Sequence, residues 1–458
     1  MIDLREALAP LQSRPFLWFF LGRSISTLGS VMAPIALAFA VLSIESSPVA
    51  LGQVLAARSV PLVLLLLLGG VVADRLSRSL VLQVSHLLSG LTQGVAAYLV
   101  ITGQATLSQL IVLEALNGVV TAFTMPAIQG VVPQVVPRSH LQQANALLAF
   151  SRSGVSVIGP AMAGVMVVGI GPGWALAADA LSWLLAAACM VPLALPGNKN
   201  ARVGRSGVVR DLASGWSRFR SITWLWVVVL AFGLLNAIHA GAWLTLGPVL
   251  AADDPAIGKE GWGYAVSALA VGLLLLTVVM MRLTFRYPLR AGLLAMLGLA
   301  APLFALGLSW PLIWLLIASF LAGAGIEVFG ISWQTAIHQN VPEDHLSRVA
   351  AYDSLGSFVA IPLGQLTIGP LAAAFGTHQV VFWSAVAFVL VILATLAVPE
   401  VRNLTGPHAD RSRGRANRPR RAAHQPADHS SDHSADQPAD QPADRLADRP
   451  GVQPGGQP

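Results

Sequence analysis

The feature that most constrains this chain is a series of twelve apolar stretches between residues 16 and 400. Each is about as long as the roughly 20 residues that an α-helix needs to cross the hydrocarbon core of a bilayer. Charged residues make up only 11% of the chain, whereas soluble domains contain about 25%. The sequence therefore predicts an all-α integral membrane protein with twelve transmembrane helices. We place these helices approximately at 16–42, 50–73, 79–102, 106–132, 142–169, 173–196, 222–250, 262–284, 289–309, 311–337, 347–374 and 378–399.

The positive charges lie on one side of these stretches. Of the 20 Lys and Arg residues before residue 403, sixteen fall at the N-terminus, in even-numbered loops or just after the last stretch. The opposite loops contain acidic residues and almost no cations. Because cytoplasmic loops of membrane proteins are enriched in Lys and Arg, this pattern places both termini in the cytoplasm. It predicts a multi-pass protein of the plasma membrane. It also explains the excess of Lys and Arg over Asp and Glu without a nucleic-acid partner.

The stretches form two groups of six that resemble each other. An offset of 205 residues aligns PRSHLQQANA with PEDHLSRVAA, and it also aligns Gly118 with Gly323, Gln129 with Gln334, Gly159 with Gly364 and Gly164 with Gly369. Such a repeat is typical of transporters in which two helical bundles move about a central site. The predicted organisation is a cytoplasmic N-terminus (1–15), an N-terminal six-helix bundle (16–196), a central cytoplasmic loop (197–221), a C-terminal six-helix bundle (222–402) and a tail (403–458).

The tail differs in composition from the rest of the chain. Its low hydrophobicity and repeated Pro-Ala-Asp units cannot support a packed core, which predicts a disordered cytoplasmic segment. Six arginines lie between Arg411 and Arg421, and each would attract anionic lipid by about 1 kcal/mol near a membrane surface. The scattered histidines of the tail do not indicate a metal site, and we expect no cofactor.

Two motifs connect the sequence to a known family. The connection after the second stretch reads GGVVADRLSRS and contains Gly70, Asp74, Arg75 and Arg78. The fifth stretch contains Gly154, Gly159, Pro160 and Gly164, which resemble an antiporter motif with the core GPxxGG, although Ala163 replaces the first of its paired glycines.

With twelve spans in two halves, these motifs resemble the major facilitator superfamily. The segments that begin at Pro126 and Trp333 are similar to its drug-efflux branch of macrolide and siderophore exporters. The resemblance covers residues 15–400. It implies two pseudo-symmetric six-helix bundles that alternate between inward- and outward-facing states, in a monomer.

The resemblance also implies a role for each motif. The Asp74 carboxylate would hold the two bundles together on the cytoplasmic side, where a contact with a helix N-terminus contributes about 0.3–1 kcal/mol. Gly159, Pro160 and Gly164 would shape the interface between the halves. Simpler interpretations remain open: Arg75 and Arg78 would only mark the cytoplasmic side, and the fifth stretch would only reflect the high Gly and Pro content of membrane helices.

Charged residues inside the apolar stretches are the candidates for proton coupling. Each costs about 2.5–3.5 kcal/mol at the bilayer centre, so it usually faces protein or water. Glu114 and Glu327 are the favoured proton carriers and Asp179 is the third, and Glu114 is expected to pair with Arg23 or Arg58. Static ion pairs that fix helix packing are the alternative. Arg152 and Asp353 lie closer to the ends of their spans and are weaker candidates.

Candidate substrate contacts are the aromatic and polar residues of the predicted spans. They are Trp18, Phe19, Asn236, His239, Trp243, Trp333 and Gln334. Binding sites for apolar molecules combine apolar and aromatic walls with few polar groups. Most membrane tryptophans, however, are interfacial anchors or packing residues, so a structural role remains open for each of them.

These observations favour a secondary active transporter over an enzyme. The sequence contains no HExxH motif, nucleotide-binding loop or nucleophile elbow of the kinds that carry such chemistry. The leading hypothesis is export of a hydrophobic or amphiphilic small molecule by proton antiport. A uniporter or importer of the same fold, and a non-transporting membrane scaffold that works through its tail, are the alternatives.

Overall fold

A computed structural model describes residues 8–75, 77–129, 131–137, 140–193, 219–280, 283, 285–341, 352–353 and 355–405. Most of the predicted central loop and nearly all of the tail, including the arginines from Arg411 to Arg421, lie outside the described residues. The side chains of residues 66–75 also lie outside them.

The twelve predicted membrane helices are confirmed, and the described residues contain no strand. In the N-terminal half they are α1 (Arg14–Ile44), α2 (Pro48–Arg75), α3 (Arg78–Ile101), α4 (Leu107–Gln129), α5 (Leu141–Gly169) and α6 (Pro172–Met190). In the C-terminal half they are α7 (Thr223–Asp253), α8 (Gly258–Met280), α9 (Pro288–Gly307), α10 (Leu312–Asn340), α11 (Leu355–Phe375) and α12 (Thr377–Ala397). Short helices at Ala9–Gln12, Val132–Val135 and Pro399–Arg402 accompany them.

Because an even number of helices cross the fold, α1 begins and α12 ends on the same side. We call this the terminal side, and we call the opposite side, which contains the α1–α2 and α11–α12 turns, the loop side. Equivalent loop-side turns precede α6 and α12, where Gly171 and Gly376 have φ angles of 96° and 87°. L-residues with side chains rarely adopt such angles, so the 205-residue repeat preserves the glycine where the turn requires it.

The repeat also preserves helix packing within each half. Gly159 of α5 lies directly against the side chain of Val31 in α1, and Gly364 of α11 lies directly against the backbone carbonyl of Ala237 in α7. Neither position has room for a Cβ atom. Small residues allow membrane helices to approach this closely. The two aligned glycines therefore fix equivalent helix pairs, which shows the pseudo-symmetry directly.

A second pair of aligned glycines joins the two halves on the loop side. A Cβ at Gly164 in α5 would lie 3.2 Å from the carbonyl oxygen of Lys259, at the start of α8. A Cβ at Gly369 in α11 would lie 2.7 Å from the Cα of Val49, at the start of α2. The halves thus meet through two related contacts, α5 with α8 and α11 with α2.

Towards the terminal side a small cavity lies between the described parts of the halves. A gap of about 70 Å³ lies between Ser59 and Leu62 of α2 and Phe358 and Ile361 of α11. A Cβ at Gly154, which is nearer the terminal end of α5 than Gly164, would meet nothing within 4 Å. The described helices are therefore in close contact on the loop side, and a small cavity and the uncrowded Gly154 lie further towards the terminal side.

One helix of the C-terminal half is irregular. The segment His239–Leu246 of α7 is π-helical, and the Thr245 hydroxyl donates to the carbonyl of Ala240 at 2.9 Å. Such insertions frequently occur at functional sites. The segment places His239 at the edge of a cavity between α7 and α10.

Candidate functional site

A buried charged cluster connects three helices of the N-terminal bundle. The Nη1 atom of Arg58 in α2 lies 3.8 Å from Oε2 of Glu114 in α4. The side-chain amide of Gln93 in α3 donates to Glu114 Oε1 at 3.2 Å. Glu114 is only 1% exposed, so its carboxylate is held by one guanidinium and one amide. Of the two expected pairings for Glu114, the structure shows the one with Arg58.

A second carboxylate, Asp179 of α6, belongs to the same cluster. It is 1% exposed, and it lies near Arg58 and Glu114 within the bundle. Its oxygens accept no hydrogen bond of ordinary geometry from the described residues, although Trp183 approaches them. The described cluster therefore contains two carboxyl groups and one guanidinium, which is the charge balance of a site that can take up and release a proton.

Arg23 lies apart from this cluster. It lines a cavity of about 390 Å³ between α1, the end of α4 and the first part of α5. Arg152 lines the same cavity, and Phe19 contributes to its wall. Among the residues that the structure describes, Arg23 is thus brought together with another arginine rather than with an acid.

Glu327 of the C-terminal bundle has different surroundings from Glu114. Its Oε1 accepts a hydrogen bond from the Thr277 hydroxyl in α8 at 2.8 Å, and its side chain is partly exposed. Among the described residues it forms no ion pair. The two favoured carboxylates are therefore not structural equivalents.

Most of the candidate substrate contacts line a cavity of about 510 Å³ in the C-terminal bundle. Asn236, His239, Trp333 and Gln334 all contribute to it. The Asn236 amide donates to the carbonyl of Ser357 at 3.0 Å, which ties α7 to α11 beside the cavity. The cavity has aromatic walls and a few polar groups, as sites for amphiphilic ligands do.

Two aromatic residues that the sequence did not single out shape this cavity. The rings of Phe232 and Phe329 stack with their centroids 4.3 Å apart, and Phe329 in turn stacks on Trp333 at 6.1 Å. The indole of Trp333 donates to Asp353 Oδ2 at 3.1 Å, which fixes the ring orientation. Nothing in an apolar span distinguishes these phenylalanines from lipid-facing ones, so no sequence signal identifies them.

Two of the candidate tryptophans lie elsewhere. Trp243 is 3% exposed and packs against Trp262 at 4.5 Å, so it belongs to the core and does not line the cavity. Trp18 is 41% exposed on α1. By contrast, Gln93 was not identified from the sequence, although the sequence contains a signal for it. An amide within an apolar span needs a polar partner, which indicates a buried polar site.

The two sequence motifs lie at different places in the fold. Gly70, Asp74 and Arg75 form the terminal-side end of α2, and Arg78 begins α3. In the fifth helix, the carbonyl of Pro160 would lie 2.6 Å from a Cβ at Gly263 in α8. Pro160 and Gly164 therefore form the contact between the halves, whereas Gly154 does not take part in it.

Comparison with known proteins identifies the class to which this fold and these sites belong. A model of the family described as transmembrane secretion effector matches residues 5–314, and a model of the Major Facilitator Superfamily matches residues 234–427. The chain belongs to the major facilitator superfamily of membrane transporters, and within it to the transmembrane secretion effector family. It is a multi-pass transporter and not an enzyme.

Characterised relatives are similar at low identity. The multidrug efflux pump Tap of Mycolicibacterium fortuitum is 25% identical over 82% of this chain and 93% of its own length. The staphyloferrin A transporter of Staphylococcus aureus is 24% identical over 78% of this chain and 90% of its own length. The crystal structure of the nucleoside transporter NupG covers 84% of this chain and 98% of its own, with a TM-score of 0.67 and 15% identity, and shows the same fold.

Proposed function

We propose that this transporter exports a hydrophobic or amphiphilic small molecule by proton antiport with alternating access. The observation that carries the proposal is the buried cluster of Arg58, Glu114 and Asp179, with two carboxyl groups for one guanidinium. The proposal places the protein in the plasma membrane as a monomer with both termini in the cytoplasm. The distribution of Lys and Arg supports that orientation.

Proton exchange follows from the charge balance of the cluster. An ionised carboxylate without a partner is costly to bury, so one of the two carboxyl groups holds a proton while the other pairs with Arg58. Opening of the bundle to water on one side would release that proton. A bound proton thereby alters the relative free energies of the two conformations, which is what coupling requires.

Alternating access is supported by the arrangement of the halves. The described helices are in close contact on the loop side at Gly164 and Gly369, and a small cavity lies between α2 and α11 towards the terminal side. In the alternate state the loop-side contacts would open and the terminal side would close. Asp74, at the terminal-side end of α2, would then stabilise the closed terminal side as the resemblance implies.

Export is favoured over import by the Gly-Pro motif at the α5–α8 contact and by relatives such as the efflux pump Tap. The fold itself does not decide the direction. A uniporter or importer of the same fold is the second candidate function.

Proton release from energised inside-out vesicles tests the proposal. Vesicles containing the wild-type protein, the Glu114→Gln variant or the Glu400→Gln variant would be challenged with macrolides, siderophores, dyes and lipophilic ions. Glu400 is an exposed acid after the last span, so its substitution is a matched control. We expect a transported compound to dissipate the pH gradient with the wild type and with Glu400→Gln but not with Glu114→Gln. Transport that is unaffected by the gradient would favour a uniporter.

A scaffold function is tested by deletion of residues 403–458. An exporter should retain most of its transport without the tail, whereas a scaffold should lose its function. Vesicles of phosphatidylcholine with and without phosphatidylglycerol would show whether the arginines from Arg411 to Arg421 bind anionic lipid. Reporter fusions at residues 210 and 410 should both report the cytoplasm, and an external signal at either would contradict the proposed topology.

A further inference from the structure

The cavity in the N-terminal bundle has an unusual charge composition. Among its described lining residues, Arg23 and Arg152 are the charged ones, and no carboxylate lines it. The ion pair found among the described residues joins Arg58 to Glu114 and involves neither of them. Within the described part of the chain, the cavity therefore concentrates two positive charges without a compensating acid.

The two arginines are held together by the packing of α1 against α5. The Ser151 hydroxyl donates to the Ser24 hydroxyl at 2.6 Å, and each arginine is the sequence neighbour of one of these serines. Both arginines line the same cavity, Arg152 at its exposed side, so the two like charges repel each other. Because the close packing of α1 against α5, at Gly159 and Val31, keeps both like charges on this cavity, an anion bound beside the two guanidinium groups would relieve their repulsion.

The rest of the cavity wall is suited to a ligand with both polar and apolar parts. Ile128 and Leu148 provide apolar surface, and Asn145 provides a hydrogen-bonding amide. The Thr27 hydroxyl also lines the cavity but already donates to the carbonyl of Arg23 at 2.6 Å. The volume of about 390 Å³ lies within the ordinary range for small-molecule sites, about 300–1,000 Å³.

We infer that this cavity binds the anionic head group of an amphiphilic substrate, a carboxylate, sulfonate or phosphate. The guanidinium groups of Arg23 and Arg152 would hold the head group, since planar guanidinium groups match carboxylate and phosphate oxygens, and the apolar part would lie against Ile128 and Leu148. The inference rests on the proposed transport function, because it names the chemical class of the transported molecule.

Binding of a matched probe pair tests this inference. The probes are a dansylated undecanoic acid and its primary amide, which share the fluorophore and the alkyl chain and differ in charge. Protein would be placed in nanodiscs of phosphatidylcholine alone, so that no anionic lipid competes. We expect the acid to bind about 10- to 100-fold more tightly than the amide, as for a hydrogen bond to a charged group.

Arg23→Gln and Arg152→Gln should each remove most of this preference, and Arg23→Lys should keep part of it. Arg290→Gln is the matched control, because Arg290 is an exposed arginine at the terminal-side end of α9. It should leave the preference unchanged. Equal affinities for acid and amide in the wild type, or an unchanged preference in both glutamine variants, would show that the arginines only extend towards water, and would overturn the inference.

Two further measurements distinguish a lipid head group from a transported substrate as the bound anion, and they distinguish failure of this inference from failure of the proposed function. If phosphatidylglycerol displaces the acid and the acid is not transported in proteoliposomes, the ligand is a lipid head group, which overturns the substrate assignment. If the acid binds through both arginines and is transported without the pH gradient, the site stands and proton antiport fails. If the amide is exported under the gradient while the acid does not bind, export stands and the site inference fails.

Discussion

The guanidinium of Arg58 reaches Glu114 because α2 and α4 are in backbone contact one helical turn away from the ion pair. Gly118, four residues after Glu114, lies directly against the carbonyl of Arg58, and no Cβ atom fits between them. Residues four apart lie on the same face of a helix. The glycine therefore sets the separation of α2 and α4 at which the ion pair forms at 3.8 Å.

The Gly118→Ala substitution should weaken proton coupling without changing any charged group. The added methyl would force α2 away from α4, since its neighbour is backbone rather than a flexible side chain. Overpacking of this kind costs about 1–3 kcal/mol, and we expect gradient-driven transport to fall by about tenfold or more. Transport assays in proteoliposomes with and without a pH gradient would measure it. Gly154→Ala, where a Cβ meets open space, should behave as the wild type.

Glu114→Gln and Glu327→Gln should differ in effect. Gln at position 114 keeps a partner for Gln93 but cannot exchange a proton, so we expect substrate binding to persist while gradient-driven transport falls by at least about tenfold. Glu327 accepts its hydrogen bond from Thr277 and has no described ion-pair partner, so its substitution should have the smaller effect. Binding and transport would be compared in the same preparations. Full gradient-driven transport by both variants would remove both residues as proton carriers.

Gly369→Ala should shift the transporter away from the state in which the loop side is closed. Its Cβ would lie 2.7 Å from the Cα of Val49, so closure on the loop side would require α2 and α11 to separate. Spin labels at Glu45 and Ser309, in a Cys189→Ser background, would report the distance between the halves on the loop side. We expect a longer mean distance with Gly369→Ala. An unchanged distribution would show that this contact does not control closure.

The sequence predicts the helices well because membrane thickness constrains their length. The first predicted span, 16–42, corresponds to Arg14–Ile44, and the tenth, 311–337, corresponds to Leu312–Asn340. The aligned glycines likewise predict equivalent packing, because close backbone contacts leave little choice of residue. The 205-residue offset aligns Gly159 with Gly364 in the sequence. In the structure these two glycines form equivalent helix contacts, α5 with α1 and α11 with α7.

The sites were less predictable because they depend on how each helix is rotated. In a membrane helix both the core-facing and the lipid-facing sides are apolar, so periodicity does not show which residues face a cavity. Trp243 and Trp333 look alike in sequence, yet only Trp333 lines the cavity. Similarly, Arg23 and Arg58 were equally plausible partners for Glu114, and the packing of α2 on α4 selects Arg58.

Trp333→Phe and Trp243→Phe should separate substrate binding from stability. Phenylalanine at position 333 keeps an aromatic wall but loses the indole donor to Asp353 Oδ2, so the ring is no longer fixed in the orientation in which it lines the cavity. We therefore expect the affinity of a transported compound to fall about tenfold. The part of the protein's tryptophan fluorescence that the compound quenches at Trp333 should also disappear. At position 243 the smaller ring leaves space beside Trp262, which should lower the midpoint of thermal unfolding while affinity is retained. Ligand titrations by tryptophan fluorescence and thermal unfolding of both variants would measure the two effects. The opposite pattern, with affinity lost at Trp243 and stability at Trp333, would place substrate binding outside this cavity.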